Sequence, residues 1–252
     1  MAQRQRKGQT AQSGSGLRAF YIALAVIALA GVGWIAYSLT NRSGTAALSA
    51  TPLTGLEDPQ ALLNAAKAVQ LGETDAPVQV LVFSDFTCPA CREFNSRVEP
   101  RLKSELIGSG NVRYEYYDYV LDLEARGAHR FGFIAARAAR CANDQEKFWE
   151  MHDMLFARQQ EWSYSSSPPI DRFVEYASTL GLDAAAFQAC LSSDQHADVV
   201  TANRMLGDNL GVRGTPTVYV AGRVLEQWNS YEALKAAVDS EIPAATGGPG
   251  EQ

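Results

Sequence analysis

The sequence predicts an α/β protein: a small sheet covered by helices, with a helical domain inserted into it and one transmembrane helix before it. Three observations support this prediction. Residues 19–39 form a charge-free apolar stretch. Apolar, β-branched runs bounded by turn residues predict strands on both sides of a long helical region. The predicted elements follow the order β–α–β, a block of helices, then β–β–α.

The charge-free stretch, AFYIALAVIALAGVGWIAYSL, is the predicted membrane anchor. As a helix it would reach about 31 Å, which is enough to cross the hydrocarbon core of a bilayer. Four basic residues precede it and Arg42 follows it, so the positive-inside rule places the amino terminus in the cytoplasm. We therefore expect a single-pass cell-membrane protein whose folded domain lies outside the cytoplasm. A cleaved signal peptide is the alternative, but its apolar region would be unusually long.

The remaining organisation follows from composition. The predicted segments are a cytoplasmic tail at 1–18, the anchor at 19–39, a linker at 40–57, a folded domain at 58–242 with a helical insertion at about 127–210, and a disordered tail at 243–252.

Charge is distributed unevenly along the 252 residues. Five of the 22 basic residues and none of the 28 acidic residues lie in positions 1–43, so the remainder carries a net charge of −11. An acidic domain without a basic stripe argues against nucleic acid as a partner. No metal, flavin or nucleotide motif is present, so we expect no cofactor.

Within the folded domain, each element has a local signal. Turn residues, helix starts and apolar periodicity predict a helix from Asp58 to about Gln70, a strand at 77–86, a helix from Cys88 to about Ile107 kinked at Pro100, a strand at 112–120, helices over about 127–210, a hairpin at 217–221 and 224–228, and a helix at 231–242.

Four arginines in the insertion recur at near-helical spacing and predict one solvated basic face, with docking to a membrane partner as the alternative. They are Arg126, Arg130, Arg137 and Arg140.

The four cysteines are the candidate chemical groups. Cys88 and Cys91 are two residues apart, whereas Cys141 and Cys190 are far from any other cysteine. Zinc sites usually combine two close pairs of ligands, so this spacing argues against zinc. The three histidines, at positions 129, 152 and 196, stand singly on predicted helices and are expected to be surface or packing residues.

The CPAC motif is better explained as a redox couple than as a structural staple. A disulfide that encloses two residues restricts the unfolded chain little and therefore stabilises little. At a helix amino terminus, Cys88 would face free backbone N–H groups that stabilise a thiolate, while Cys91 would lie one turn inward. Pro89 at the first helical turn costs no hydrogen bond.

These residues resemble a known family. LGETDAPVQVLVFSDFTCPACREF, at 71–94, resembles the active-site strand and helix of DsbA-like thiol-disulfide oxidoreductases, and GVRGTPTVYVAG, at 211–222, resembles their cis-proline loop. KFWEMHDMLF and LGLDAAAFQACL resemble their inserted helical domain. The resemblance implies a thioredoxin fold with catalytic Cys88 and Cys91. It also implies a substrate groove, which would be formed by Phe86, Pro89, Ala90, Thr215 and Pro216.

Cys141 and Cys190 fall on helices of the insertion, and some members of the family have a second disulfide there. Outside the cytoplasm, a bond closing this loop would contribute about 4 kcal/mol in the chain-entropy model. We expect a structural disulfide; a second redox shuttle is the alternative.

The sequence departs from the family at two positions. Many relatives have a buried acid six residues before the first cysteine, where this chain has Val82, and nearby Asp85 should point elsewhere. The most oxidising relatives have histidine at the position of Ala90. Both changes remove a group that could stabilise the Cys88 thiolate or help to move its proton. We therefore expect a less stabilised thiolate and a less extreme reduction potential.

The resemblance implies an oxidoreductase that introduces disulfides into exported proteins. Its partners would be reduced exported proteins and a membrane oxidase of the DsbB or vitamin K epoxide reductase type. A reductase or isomerase with the same residues, or a chaperone that holds clients without catalysis, are the alternative functions.

Overall fold

The computed structural model describes residues 53–242 continuously, residue 50, and isolated helical positions between 20 and 32. The tails predicted at 1–18 and 243–252 lie outside the described residues, as do most of the anchor predicted at 19–39 and much of the linker predicted at 40–57. Among the positions described, no helix has both the length and the apolar character needed to cross a membrane.

Helices and strands alternate as the sequence predicts, with a helical block between β3 and β4. The strands are β1 (Val69–Leu71), β2 (Val78–Ser84), β3 (Val112–Asp118), β4 (Thr217–Val220) and β5 (Arg223–Val224). The helices are α1 (Pro59–Ala65), α2 (Pro89–Arg97), α3 (Glu99–Arg101), a π-helical segment (Leu102–Ile107), α4 (Gly132–Asn143), α5 (Phe148–Ala157), α6 (Gln159–Trp162), α7 (Ile170–Thr179), α8 (Ala184–Ser192), α9 (Ala197–Asn209) and α10 (Tyr231–Asp239).

The five strands form one sheet in the order β1-β3-β2-β4-β5. β2 and β3 are parallel and are connected through α2, α3 and the π-helical segment, whereas the other neighbouring strands are antiparallel. In the central pair, Val82 lies opposite Tyr116 and Ser84 lies opposite Asp118. Strand β2 ends at Ser84, and the CPAC motif follows shortly after its carboxyl end.

The first predicted helix is too long. α1 begins after Asp58, whose carboxylate accepts a hydrogen bond from the Ala61 N–H at 2.8 Å, but it ends at Ala65. Residues 69–71 instead form the edge strand β1, which pairs with β3. Local propensity gave no signal for this strand, because pairing with a distant strand stabilises it.

The helix that follows Cys88 is interrupted, as predicted, near Pro100. α2 ends at Arg97, a three-residue helix follows, and the chain then widens into the π-helical segment. Proline has no N–H to donate to the preceding turn, so a regular helix cannot continue through it.

The two faces of the sheet have different cores. One face buries Val80, Val82 and Tyr116 against α2 and the helical insertion. The other face buries Phe83 and Tyr117 with residues of α1 and α9. Helix α2 therefore lies on the same side of the sheet as most of the insertion.

The predicted basic face does not exist, because two of its four arginines are buried. Arg140 donates from Nε to Asp118 at 2.8 Å and from Nη1 to the Lys67 carbonyl at 2.7 Å. Arg137 is fully buried and donates to the Leu191 carbonyl at 3.2 Å. Helical spacing identifies residues that share a face, but it does not say whether that face meets solvent or protein.

Candidate active site

Cys88 is the N-cap residue of α2, as the motif predicts. Its backbone is extended, with φ −76° and ψ 123°, and Pro89 occupies the first turn of the helix. The Cys88 N–H donates to the Asp85 carbonyl at 3.0 Å, which closes a tight turn between β2 and the helix. Both cysteines are free thiols, and Cys88 is 8% exposed whereas Cys91 is 1% exposed. Cys88 is therefore the more accessible of the two sulfur atoms.

The loop before β4 brings Thr215 and Pro216 to this thiol. The Thr215–Pro216 peptide bond is cis, as the motif predicts. The Cys88 thiol donates to the Thr215 carbonyl, with 3.3 Å between sulfur and oxygen. The Thr215 hydroxyl oxygen is buried without a partner of hydrogen-bond geometry among the described residues. The two motifs, 127 residues apart, thus form one site.

The electrostatics of the two thiols differ strongly. A hydrogen bond from the Cys91 thiol is the largest cause that lowers the pKa of Cys88, to about 5. The Thr215 hydroxyl and the backbone N–H groups of Cys91 and Ala90 lower this pKa further, while partial burial opposes them. Burial raises the pKa of Cys91 well above its usual value, and the neighbouring Cys88 thiolate raises it further. The N–H groups at the start of the helix lower the pKa of Cys88 as expected, but the Cys91 thiol lowers it more.

The position of the missing family acid is apolar. Val82 is fully buried beneath the site, opposite Tyr116. Among the groups facing Cys91, the Ser84 hydroxyl and the Asp85 backbone N–H lower its pKa but do not overcome the effect of burial. The interior around Cys91 therefore holds this sulfur protonated in the reduced state.

Asp85 points away from the cysteines, as expected. One carboxylate oxygen accepts from the Thr87 N–H and hydroxyl, both at 2.6 Å, and the other accepts from the Leu121 N–H at 2.7 Å. Burial raises the pKa of Asp85, although these hydrogen bonds oppose the shift. The Thr87 hydroxyl also lies 2.7 Å from Nδ1 of His129. Asp85 therefore shapes the active-site loop and ties it to the segment that leads into the insertion.

The groove residues implied by the resemblance separate into two groups. Pro89 and Ala90 line a surface groove of 790 Å³ together with Phe156 and Trp228, and Thr215 and Pro216 line another of 500 Å³. Phe86 is 1% exposed and stacks among buried rings, so its predicted place in the groove is wrong. It supports the loop from below because its large apolar ring is stable only inside the core.

One residue of the site carries no signal in the sequence. Gln159, in α6 of the insertion, is buried and donates from Nε2 to the carbonyls of Phe86 and Cys88, at 2.8 and 2.9 Å. It lies 71 residues from Cys88, and a single glutamine on a predicted helix is usually a surface residue. This amide connects the insertion to the active-site loop.

The other two cysteines form a disulfide between α4 and α8. The Cys141 and Cys190 Cα atoms are 5.8 Å apart, and the pairing is the one expected. Two of the three histidines pack against other residues, as expected: His152 is buried among aromatic rings, and His129 contacts Thr87, which lies 42 residues away in the sequence.

Comparison with known sequences identifies relatives that cover most of the folded region. A family model described as "Thioredoxin" matches residues 64–240. "Probable disulfide bond formation protein D" of Bacillus anthracis is 31% identical over 68% of this chain and 77% of its own length. "Na(+)/H(+) antiporter NhaA 1" of Salinispora arenicola is 38% identical over 67% of this chain, but the match spans only 24% of that antiporter.

Solved structures share the fold. "BdbD from Bacillus subtilis (oxidised)" superimposes with a TM-score of 0.63 and 23% identity, covering 72% of this chain and 95% of that one. The oxidised "Mtb DsbA" superimposes with a TM-score of 0.58 and 26% identity, also covering 72% and 95% of the two chains.

Proposed function

Since the chain belongs to the thioredoxin family and is a DsbA-like thiol-disulfide oxidoreductase, we propose that it forms disulfide bonds in exported proteins through Cys88 and Cys91. One observation carries the proposal. The pKa of Cys88 is lowered to about 5 while that of the buried Cys91 is raised, within a single pair. A thiolate this stable is a good leaving group, which favours passing a disulfide on to a client.

The first step begins with the oxidised pair. A client thiolate attacks the sulfur of Cys88, because Cys91 is shielded by the core. The Cys88–Cys91 bond breaks, a bond between the client and Cys88 forms, and Cys91 leaves with the electron pair. Cys91 takes up a proton, because its raised pKa disfavours the free thiolate in this interior.

The second step releases the product. A second client thiolate attacks the client sulfur bound to Cys88, and Cys88 leaves as a thiolate stabilised by Cys91, Thr215 and backbone N–H groups. The client has lost two electrons and gained a disulfide, and the enzyme is left reduced. The grooves lined by Pro89 and Ala90 and by Thr215 and Pro216 would hold the client beside the sulfur.

The cycle then needs an electron acceptor. A membrane oxidase of the DsbB or vitamin K epoxide reductase type would take two electrons and restore the Cys88–Cys91 bond. Residues 19–39 would hold the domain at the outer face of the membrane, beside such a partner. The match to part of a protein that is named as an antiporter supports a location of this domain at a membrane.

The direction of electron flow is the decisive test. The redox state of Cys88 and Cys91 in cells, trapped by acid and alkylation, should be mainly oxidised for an oxidase. The reduction potential, measured against a glutathione buffer with Cys141→Ser as the control, should be more oxidising than that of the exported-protein pool. A pair that is mainly reduced in cells would instead indicate a reductase or isomerase. Undiminished function of Cys88→Ser would indicate a chaperone.

A further inference from the structure

The second disulfide lies where the ends of three helices meet. Cys141 is near the end of α4, Cys190 is in α8, and His196 is the N-cap residue of α9. A ring nitrogen of His196 and the two sulfur atoms all lie within 4.8 Å of one another. Asp144, which caps α4, places Oδ2 2.9 Å from His196 Nε2 and 3.6 Å from Cys190 Sγ. The two sulfurs and the imidazole thus form one compact group, and the Asp144 carboxylate contacts two of its three members, Cys190 and His196.

This donor set matches the preferences of zinc. Zn²⁺ binds thiolate sulfur at about 2.3 Å and imidazole nitrogen or carboxylate oxygen at about 2.0–2.2 Å, in tetrahedral geometry. Those lengths imply sulfur–oxygen separations of about 3.6 Å and nitrogen–oxygen separations of about 3.4 Å. The observed sulfur–oxygen contact of 3.6 Å already fits, and the imidazole–carboxylate contact of 2.9 Å needs a small expansion. Zinc binding therefore requires separation of the two sulfurs and movement of the Asp144 carboxylate to complete the set of four ligands.

We propose that reduction of the Cys141–Cys190 disulfide converts this cluster into a zinc site with Cys141, Cys190, His196 and Asp144 as ligands. A dithiol reductant supplies two electrons and two protons: the sulfur–sulfur bond breaks, two thiols form, and the reductant becomes a disulfide. Zn²⁺ then displaces the two thiol protons and binds the imidazole through its unprotonated nitrogen.

The Asp144 and His196 side of the cluster borders a cavity. A cavity of 890 Å³ is lined by Asp144 and His196, together with Gln195 and Arg140. The Arg140 guanidinium is engaged with Asp118, and Gln195 donates to the same Asp144 oxygen at 2.9 Å. Zn²⁺ would replace the hydrogen-bond donors that now contact Asp144 Oδ2. The His196 and Asp144 side chains already lie beside the disulfide before it is reduced.

The consequence is that α4 and α8 stay linked after the disulfide is reduced. The disulfide joins α4 and α8 when oxidised, and the metal would join the same helices, with the start of α9, when reduced. Bound thiolates would also be kept from acting as a second dithiol beside the CPAC pair. The inference does not depend on the direction of catalysis at Cys88.

The test uses the full chain with Cys88→Ser and Cys91→Ser, which removes the other dithiol. The protein is reduced with a phosphine under anaerobic conditions and titrated with Co²⁺, then with Zn²⁺. We expect thiolate-to-cobalt charge transfer, the intense visible bands of a tetrahedral site, and displacement by Zn²⁺. His196→Ala and Asp144→Asn should each weaken binding at least about tenfold. The control Asp198→Asn, an exposed carboxylate lining the same cavity, should leave the affinity unchanged.

Folding is checked separately, by circular dichroism of each variant in the oxidised state, where the disulfide holds the helices together. Folded variants without His196 or Asp144 that bind as tightly as the parent would overturn the proposal, because two thiols alone would then explain binding. A weak octahedral spectrum without charge transfer in the parent would overturn it as well.

Discussion

Gln159 donates a hydrogen bond from its side-chain amide to the carbonyl of Cys88, at 2.9 Å, from a helix of the insertion. The same nitrogen binds the Phe86 carbonyl at 2.8 Å. The inserted helices therefore do more than cover the sheet, because they position the backbone that presents the Cys88 sulfur.

Replacing Gln159 with Met should destabilise the protein and disturb the site. Methionine has a similar volume but no donor, so buried carbonyls lose partners, at a cost of about 2 kcal/mol. Chemical unfolding should report this loss, and the pKa of Cys88 should shift with it. The exposed Gln60→Met should change stability by less than about 0.5 kcal/mol. If both variants behave alike, Gln159 has no positioning role.

The roles of the two active-site cysteines can be separated by trapping. Cys91→Ser should accumulate mixed disulfides with clients. Cys88 can still form a disulfide with a client, but the variant lacks the second thiol that would attack this bond and release the client. Cys88→Ser should accumulate none, because Cys91 is buried. Non-reducing gels followed by mass spectrometry would reveal the complexes. Equal trapping by both variants would contradict the assignment.

The stability of the reduced protein should depend on pH through Cys88. Its pKa falls from 9.0 to about 5 on folding, so the folded state binds the proton more weakly than the unfolded chain does. The resulting stabilisation is complete above pH 9 and is lost as pH falls towards 5. Denaturant unfolding of the reduced protein, compared with Cys88→Ser, should give a difference that shrinks across this window. A constant difference would refute the low pKa.

Thr215 should help to set that pKa. Its hydroxyl is buried without a partner of hydrogen-bond geometry among the described residues, so it is free to turn towards the thiolate and lower the pKa of Cys88. Thr215→Val removes this donor while keeping the shape. The thiolate absorbance of the reduced variant should therefore titrate at higher pH than in the parent. Thr217→Val, whose hydroxyl bonds the Gly214 carbonyl instead, serves as the control. An unchanged titration in Thr215→Val would exclude this contribution.

The Cys141–Cys190 disulfide should contribute to stability, whereas the Cys88–Cys91 pair should be needed for exchange with a client. Cys141→Ser releases a loop with a sequence separation of 49. In the chain-entropy model the loss is about 4 kcal/mol, or about 10 °C in melting temperature. Exchange with a model client should persist at moderate temperature. A variant of unchanged stability that loses turnover would show instead that the second pair is a redox relay.

Several features follow from the sequence because their causes are local. The strands alternate or run apolar, Asp58 caps a helix, Pro100 interrupts one, and the CPAC motif opens another. Each depends on residues within a few positions of one another, so spacing and residue type are sufficient. The interaction between Cys88 and Cys91 is predictable for the same reason, because the two cysteines lie one helical turn apart at a helix start.

Only the tertiary structure decided which distant groups meet. The burial of Arg137 and Arg140, the edge strand β1, the amide of Gln159 beside Cys88, and the approach of His196 and Asp144 to the second disulfide depend on packing between elements. These partners are separated by tens of residues, and their pairing reflects desolvation and shape across the whole core rather than any local periodicity. Residue type says what a side chain can do, and burial beside particular neighbours determines what it does.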